Sequence, residues 1–168
     1  MLSLTLTRTH GSCPFPVAPM TKIAIAVLGM VLAAKITFAA EQEHRFVQIF
    51  RFPAAPEFVV VAEGDFEPRS VGSYTLRVYG GKSDNFPTDD FISGVVRPRN
   101  GIIEAVRFED LDGDDKPEIV VTIQSVGSGG YVSADAFRYR NGLTECIASV
   151  SGLDKGADAI EALRGKLK

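Results

Sequence analysis

Hydrophobic positions along this chain fall into short runs rather than long helical stripes. Arg45–Phe52, Glu57–Ala62, Ser73–Tyr79, Phe91–Arg97, Ile102–Phe108, Glu118–Gln124, Tyr131–Arg140 and Leu143–Val150 are rich in β-branched and aromatic residues and bounded by turn formers. Each of these runs predicts a strand. Ser73–Tyr79 alternates strictly, with Tyr74, Leu76 and Val78 on one face and Thr75, Arg77 and Tyr79 on the other. That is the pattern of a half-buried strand. Glu118–Gln124 is more continuously apolar (Ile119, Val120, Val121, Ile123) and predicts a strand in the middle of a sheet. Asn100-Gly101 and Asn141-Gly142 stand between pairs of these runs. Asn-Gly supplies the positive φ angles of a two-residue turn, so both predict tight hairpins. Helical spacing recurs only in the tail, at Ile160, Leu163 and Leu167, behind Asp158 as a cap. The pattern predicts an all-β fold, an antiparallel sandwich or barrel of about eight strands with a short C-terminal helix.

The start of the chain reads differently. Ile23–Ala34 is an unbroken apolar run after Lys22, followed by Lys35 and a small-residue exit ending in Thr37-Phe38-Ala39-Ala40. It is too short to span a bilayer, which takes about 20 apolar residues. Its layout is that of a secretory signal peptide over residues 20–40, cleaved after Ala39 or Ala40. Residues 1–19, with Pro14, Pro16 and Pro19, would spoil such a leader by preceding it. Translation is therefore expected to begin at Met20, with 1–19 a mis-assigned extension. Residues 41–168 then form one exported domain, of a size that closes a single core.

Processing changes the charge. The first 40 residues hold Arg8, Lys22 and Lys35 and no acid, so the net charge moves from −3 to −6. That disfavours a nucleic-acid partner and favours a cationic one. Only Cys146 remains, which rules out an internal disulfide. Beside Leu143, Ile147 and Val150 it reads as a small buried hydrophobe of a strand.

Enzymatic readings fail on inventory. His44 is the single histidine of the mature chain, close to its new N-terminus. A Ser-His-Asp site needs an imidazole held within hydrogen-bond reach of a serine. Gly127-Ser128-Gly129 is not the G-x-S-x-G elbow, and no Cys/His cluster has zinc spacing. No catalytic residue, metal ligand or cofactor is assigned. Asp110-Leu111-Asp112-Gly113-Asp114-Asp115-Lys116-Pro117-Glu118 spaces its acids like a calcium loop, but its glycine comes two positions too early for an EF-hand. A charged turn and a calcium-dependent surface or carbohydrate-binding module both stay open for this stretch. Gln124–Ser133 is the most informative segment. Gly127, Gly129 and Gly130 make a narrow loop that can approach another surface closely, with Ser128 and Tyr131 as its hydroxyl-bearing tips.

Three features together carry a resemblance: Asp110–Asp114 leading into Glu118-Ile119-Val120-Val121, then Ser125–Tyr131, then Ser133-Ala134-Asp135-Ala136-Phe137. With Ala62–Asp65 and Arg69–Tyr74 they resemble the periplasmic inhibitors of invertebrate-type (i-type) lysozyme of Gram-negative bacteria, over most of Glu57–Arg140. The S-G-x-Y core is also similar to that of chicken-type lysozyme inhibitors. The resemblance implies a β-sandwich, no catalytic activity, a lysozyme as protein partner and a periplasmic location. It also implies that the loop Ser128, Gly129, Gly130, Tyr131 enters the lysozyme cleft, where Ser128 and Tyr131 meet the catalytic carboxyls. It says nothing of a calcium site. The tail after Leu143 carries no family signature, and whether the protein forms a homodimer stays open.

Overall fold

The structure, a computed structural model, describes residues 45–168 other than Ala54. The expected extension 1–19, the leader 20–40 and His44 lie outside the described residues. Within them the eight strands are β1 (Val47–Arg51), β2 (Phe58–Glu63), β3 (Gly72–Tyr79), β4 (Phe91–Arg99), β5 (Ile102–Glu109), β6 (Glu118–Gln124), β7 (Val132–Arg140) and β8 (Leu143–Leu153). One helix, α1 (Ala159–Leu167), follows. Each expected strand is present, with ends shifted by at most a few residues. The largest change is in β8, which runs on past Val150 to Leu153.

Two antiparallel four-stranded sheets form a sandwich, ordered β1-β2-β3-β4 and β5-β6-β7-β8. The inward face of the first sheet carries Val59, Val61, Tyr74, Leu76 and Val78, which meet Ile119, Val121, Ile123 and Phe137 of the second. The strict alternation in β3 is the cause: Tyr74, Leu76 and Val78 are all fully buried. In β6 the other set of side chains is covered as well. Val120 packs with Ala134, Ala136, Val150 and Leu163 in a second cluster beneath α1. A strand covered on both faces is apolar at consecutive positions, and β6 does lie inside its sheet between β5 and β7. Asp158 caps α1, its Oδ1 accepting from the amides of Ile160 (2.9 Å) and Glu161 (3.2 Å).

One turn differs from expectation. Asn141-Gly142 is a hairpin: Arg140 pairs with Leu143, and both turn residues have positive φ (53° and 78°). Asn100-Gly101 is not. It joins β4 to β5, which belong to different sheets, so here the chain crosses from one layer to the other. The physical reason lies in the approach of Gly101 to the second sheet. A Cβ at Gly101 would sit 2.1 Å from the carbonyl oxygen of Gln124 and 2.9 Å from the Cα of Ser125. Long-range packing, not turn chemistry, decides what this dipeptide connects.

Candidate functional site

Antiparallel order sorts the connections between two ends of the sandwich. The β2–β3 connection, the Asn100-Gly101 crossover, the β6–β7 loop and the β8–α1 connection share one end. The β1–β2, β3–β4, β5–β6 and β7–β8 connections share the other. The β6–β7 loop, Ser125–Tyr131, is closed at its neck by the Gln124–Val132 register pair and by the Ser125 amide donating to the Tyr131 carbonyl at 2.8 Å. At its tip the Gly130 amide donates to the Gly127 carbonyl at 3.1 Å, so Ser128 and Gly129 are the central residues of a turn. Gly130 has φ 56°. Ser128 is exposed, and so is Tyr131, at 50 %.

The tyrosine is nevertheless not free. A Cβ on Gly129 would lie 2.4 Å from Tyr131 Cε2 and 2.9 Å from Cδ2. The ring therefore lies back along the bare backbone of Gly129, leaving its outer surface to solvent. Sequence alone suggests that glycines thin this loop; the structure adds that Gly129 is a shelf for the ring. The similar run Ser70-Val71-Gly72-Ser73-Tyr74 is a different object. Its tyrosine is fully buried, and the hydroxyl donates to Asp135 Oδ2 at 2.6 Å. Burial, and then the charge of Asp135, push that phenol far above its ordinary range, so it stays a donor.

Beneath the loop lies a framework that the sequence did not reveal. Arg99 is buried and spreads its guanidinium over four carbonyls: Gly101 (2.5 Å), Arg69 (2.7 Å), Pro68 (3.0 Å) and Ser73 (3.0 Å). It thus ties the β2–β3 connection to the crossover glycine that abuts the neck of the β6–β7 loop. Glu63, also buried, accepts from the Ile103 amide at 2.8 Å, again across the two sheets. Between the layers, Asp135 on β7 accepts from Tyr74 and from Ser149 (2.6 Å), with Arg97 at 3.4 Å. Arg97 also donates to Ser149 at 3.1 Å. Three strand acids are buried: Glu63, Glu118 and Asp135. The available signal was an acid set within an apolar strand, as Asp135 is between Ala134, Ala136 and Phe137. Cys146 lies in β8 as expected, but half-buried, its Sγ 3.5 Å from Ser149 Oγ.

The acidic segment Asp110–Glu118 lies at the opposite end from the β6–β7 loop. Asp110, Asp112 and Glu118 bring carboxylate oxygens within 4.8 Å of one another. Those oxygens already have partners. Asp110 accepts from the amides of Gly113 (2.7 Å) and Asp115 (3.1 Å), Asp112 from that of Asp114 (3.2 Å), and Glu118 from that of Leu111 (3.1 Å). Arg138 bridges Asp112 and Glu118, while Arg140 reaches Asp114 and Glu118. Two guanidinium groups thus pair with the acids of this segment, and its amides and carboxylates satisfy one another as in a charged turn.

The comparisons with known proteins address this same domain. The model of a family described as periplasmic lysozyme inhibitor of I-type lysozyme matches residues 44–167. That span includes the tail after Leu143, where no signature was legible. A search of curated proteins gave no match. Among solved structures, PliI-Ah, a periplasmic lysozyme inhibitor of I-type lysozyme from Aeromonas hydrophyla, is 42% identical with a TM-score of 0.66. The match covers 70% of this chain and 98% of that one. The Aeromonas hydrophila PliI crystallised in complex with Meretrix lusoria lysozyme is 43% identical, also with a TM-score of 0.66, over 71% of this chain and 95% of that one. The same two-layer sandwich, nearly complete coverage of the solved chains and a family match across the whole described domain agree: this chain belongs to the family of periplasmic inhibitors of I-type lysozyme.

Proposed function

We propose that this protein inhibits i-type lysozyme in the periplasm, and that it does so by placing the Ser128-Gly129-Gly130-Tyr131 loop in the active-site cleft. Family membership supports the inhibitor role. The observation that carries the loop assignment is the seating of Tyr131, half exposed and with its ring laid on Gly129. An aromatic side chain already held in one position loses little freedom on binding, which is the property of an interface anchor.

Lysozyme chemistry runs on two carboxyl groups flanking the scissile bond, one protonated and one ionised. The Ser128 hydroxyl can donate or accept and so suits either; the Tyr131 hydroxyl donates to the ionised one. The loop holds both groups without a glycosidic bond, so occupancy brings no turnover. The net negative charge steers the inhibitor toward a cationic enzyme.

The test is the inhibition constant of folded variants against an i-type lysozyme such as that of Meretrix lusoria. Tyr131→Ala loses a hydrogen bond to a charged group and a buried ring, about 2 kcal/mol or more, or roughly thirtyfold in potency. Ser128→Ala is expected to lose somewhat less. Full potency in a folded Ser128→Ala, Tyr131→Ala double variant would remove the loop from the mechanism.

A further inference from the structure

A second projection shares the loop's end of the sandwich. In the β2–β3 connection Phe66 is 79 % exposed, the highest value of any large apolar side chain among the described residues, and its φ is 63°. A bulky residue in the left-handed region is a backbone outlier, and a phenyl ring left in water contributes nothing to folding. The chain meets both costs at one residue. Such strain persists only where its surroundings enforce it, and it concentrates at sites that grip a partner.

The surroundings here do enforce it. The Glu67 carboxylate accepts from both the Ser73 amide and the Ser73 hydroxyl (2.8 Å), while Arg45 donates to the Glu67 carbonyl. The buried Arg99 holds the carbonyls of Pro68 and Arg69. The same guanidinium holds Gly101, where an added Cβ would run into Gln124 and Ser125 at the neck of the β6–β7 loop. The two projections therefore stand on one rigid mount. Val71, on the same connection, is also exposed.

We propose that Phe66 is a second anchor of the lysozyme interface, seated on an apolar patch of the same lysozyme outside its catalytic cleft while Tyr131 occupies the cleft. The inference rests on the inhibitor reading above and adds to it a contact that touches neither catalytic carboxyl. A strained phenylalanine also permits an unusually clean test. Glycine adopts φ 63° without penalty, so Phe66→Gly removes the ring and relieves the backbone together.

The experiment compares wild type, Phe66→Gly, Tyr131→Ala and their double variant for inhibition of Meretrix lusoria lysozyme, with a thermal midpoint for each. Phe66→Gly is expected to melt no lower than wild type and yet to inhibit at least about tenfold more weakly. Phe66→Asn, which also tolerates this backbone, is expected to show the same loss and guards against a folding artefact. Wild-type potency in both Phe66 variants, beside a weakened Tyr131→Ala, would overturn the second anchor and leave the loop mechanism standing. Absence of inhibition by the wild type would overturn both.

Discussion

Gly129 and Gly127 sit in the same loop and do different things. Gly127 has only ordinary contact around a notional Cβ, with Ser125 Oγ at 3.5 Å, whereas the Gly129 position is taken by the Tyr131 ring at 2.4 Å. Gly129 does not have a positive φ, so alanine is allowed by its backbone and excluded only by the ring. Gly129→Ala is therefore expected to fold normally and to push Tyr131 off its shelf. Releasing one ordered side chain costs about 0.5–1.5 kcal/mol on binding, so inhibition should weaken roughly three- to tenfold. Gly127→Ala is expected to keep its potency. Equal inhibition constants for the two variants would show that the seating of the ring is irrelevant. Ser128 and Tyr131 were legible as candidates because hydroxyls among glycines are a local pattern. Phe66 was not, because nothing in Asp65-Phe66-Glu67 announces a left-handed backbone; the groups that hold this connection, Arg45, Ser73 and Arg99, lie outside that segment.

At the level of elements, local chemistry specified strands and turns but not their pairing. Both Asn-Gly dipeptides supply a reversal, and only the contact between Gly101 and the Gln124–Ser125 backbone decides that one of them changes sheets. The register shifts of β8 are equally silent in the sequence. By offsetting the strand between Cys146 and Ala148, the shift beside Phe137 brings Cys146 and Ser149 to one face of it, Sγ and Oγ 3.5 Å apart. The β2–β3 connection yields a pH prediction. Hydrogen bonds from the Ser73 amide and hydroxyl, with the charges of Arg99 and Arg45 adding, hold the Glu67 carboxyl below its ordinary value of 4.5. A depressed carboxyl stabilises the fold fully above that ordinary value and loses the contribution as pH falls through its folded-state value. Wild type is thus expected to melt above Glu67→Gln at neutral pH, and the two midpoints should converge as the pH drops below 4.5. Parallel melting curves from pH 7 to pH 3 would mean that the carboxylate does not order this connection.

At the scale of the whole molecule, the two sheets are joined by more than apolar contact. Tyr74 and Arg97 reach from the first sheet to Asp135 and Ser149 in the second, and the Tyr74 ring also meets Phe137 edge-on at 6.3 Å. Two variants separate the value of a bond from the cost of an orphaned group. Tyr74→Phe removes one donor but leaves Asp135 with Ser149 and Arg97, so unfolding in urea should report a loss of about 1.5–3 kcal/mol, the range for a bond to a charged group. Asp135→Ala leaves the Tyr74 hydroxyl buried without an acceptor and Arg97 without its carboxylate, which is expected to cost about 3–5 kcal/mol. Neither change touches the loop, so whatever remains folded should inhibit lysozyme as wild type does, once potency is normalised to the folded fraction. The denaturant slope should stay constant, since the surface exposed on unfolding is unchanged. If Asp135→Ala proved no more harmful than Tyr74→Phe, Asp135 would be a replaceable member of the network, and the sheets would be held together chiefly by the apolar contacts of Tyr74, Leu76 and Val78 with Ile119, Val121 and Phe137.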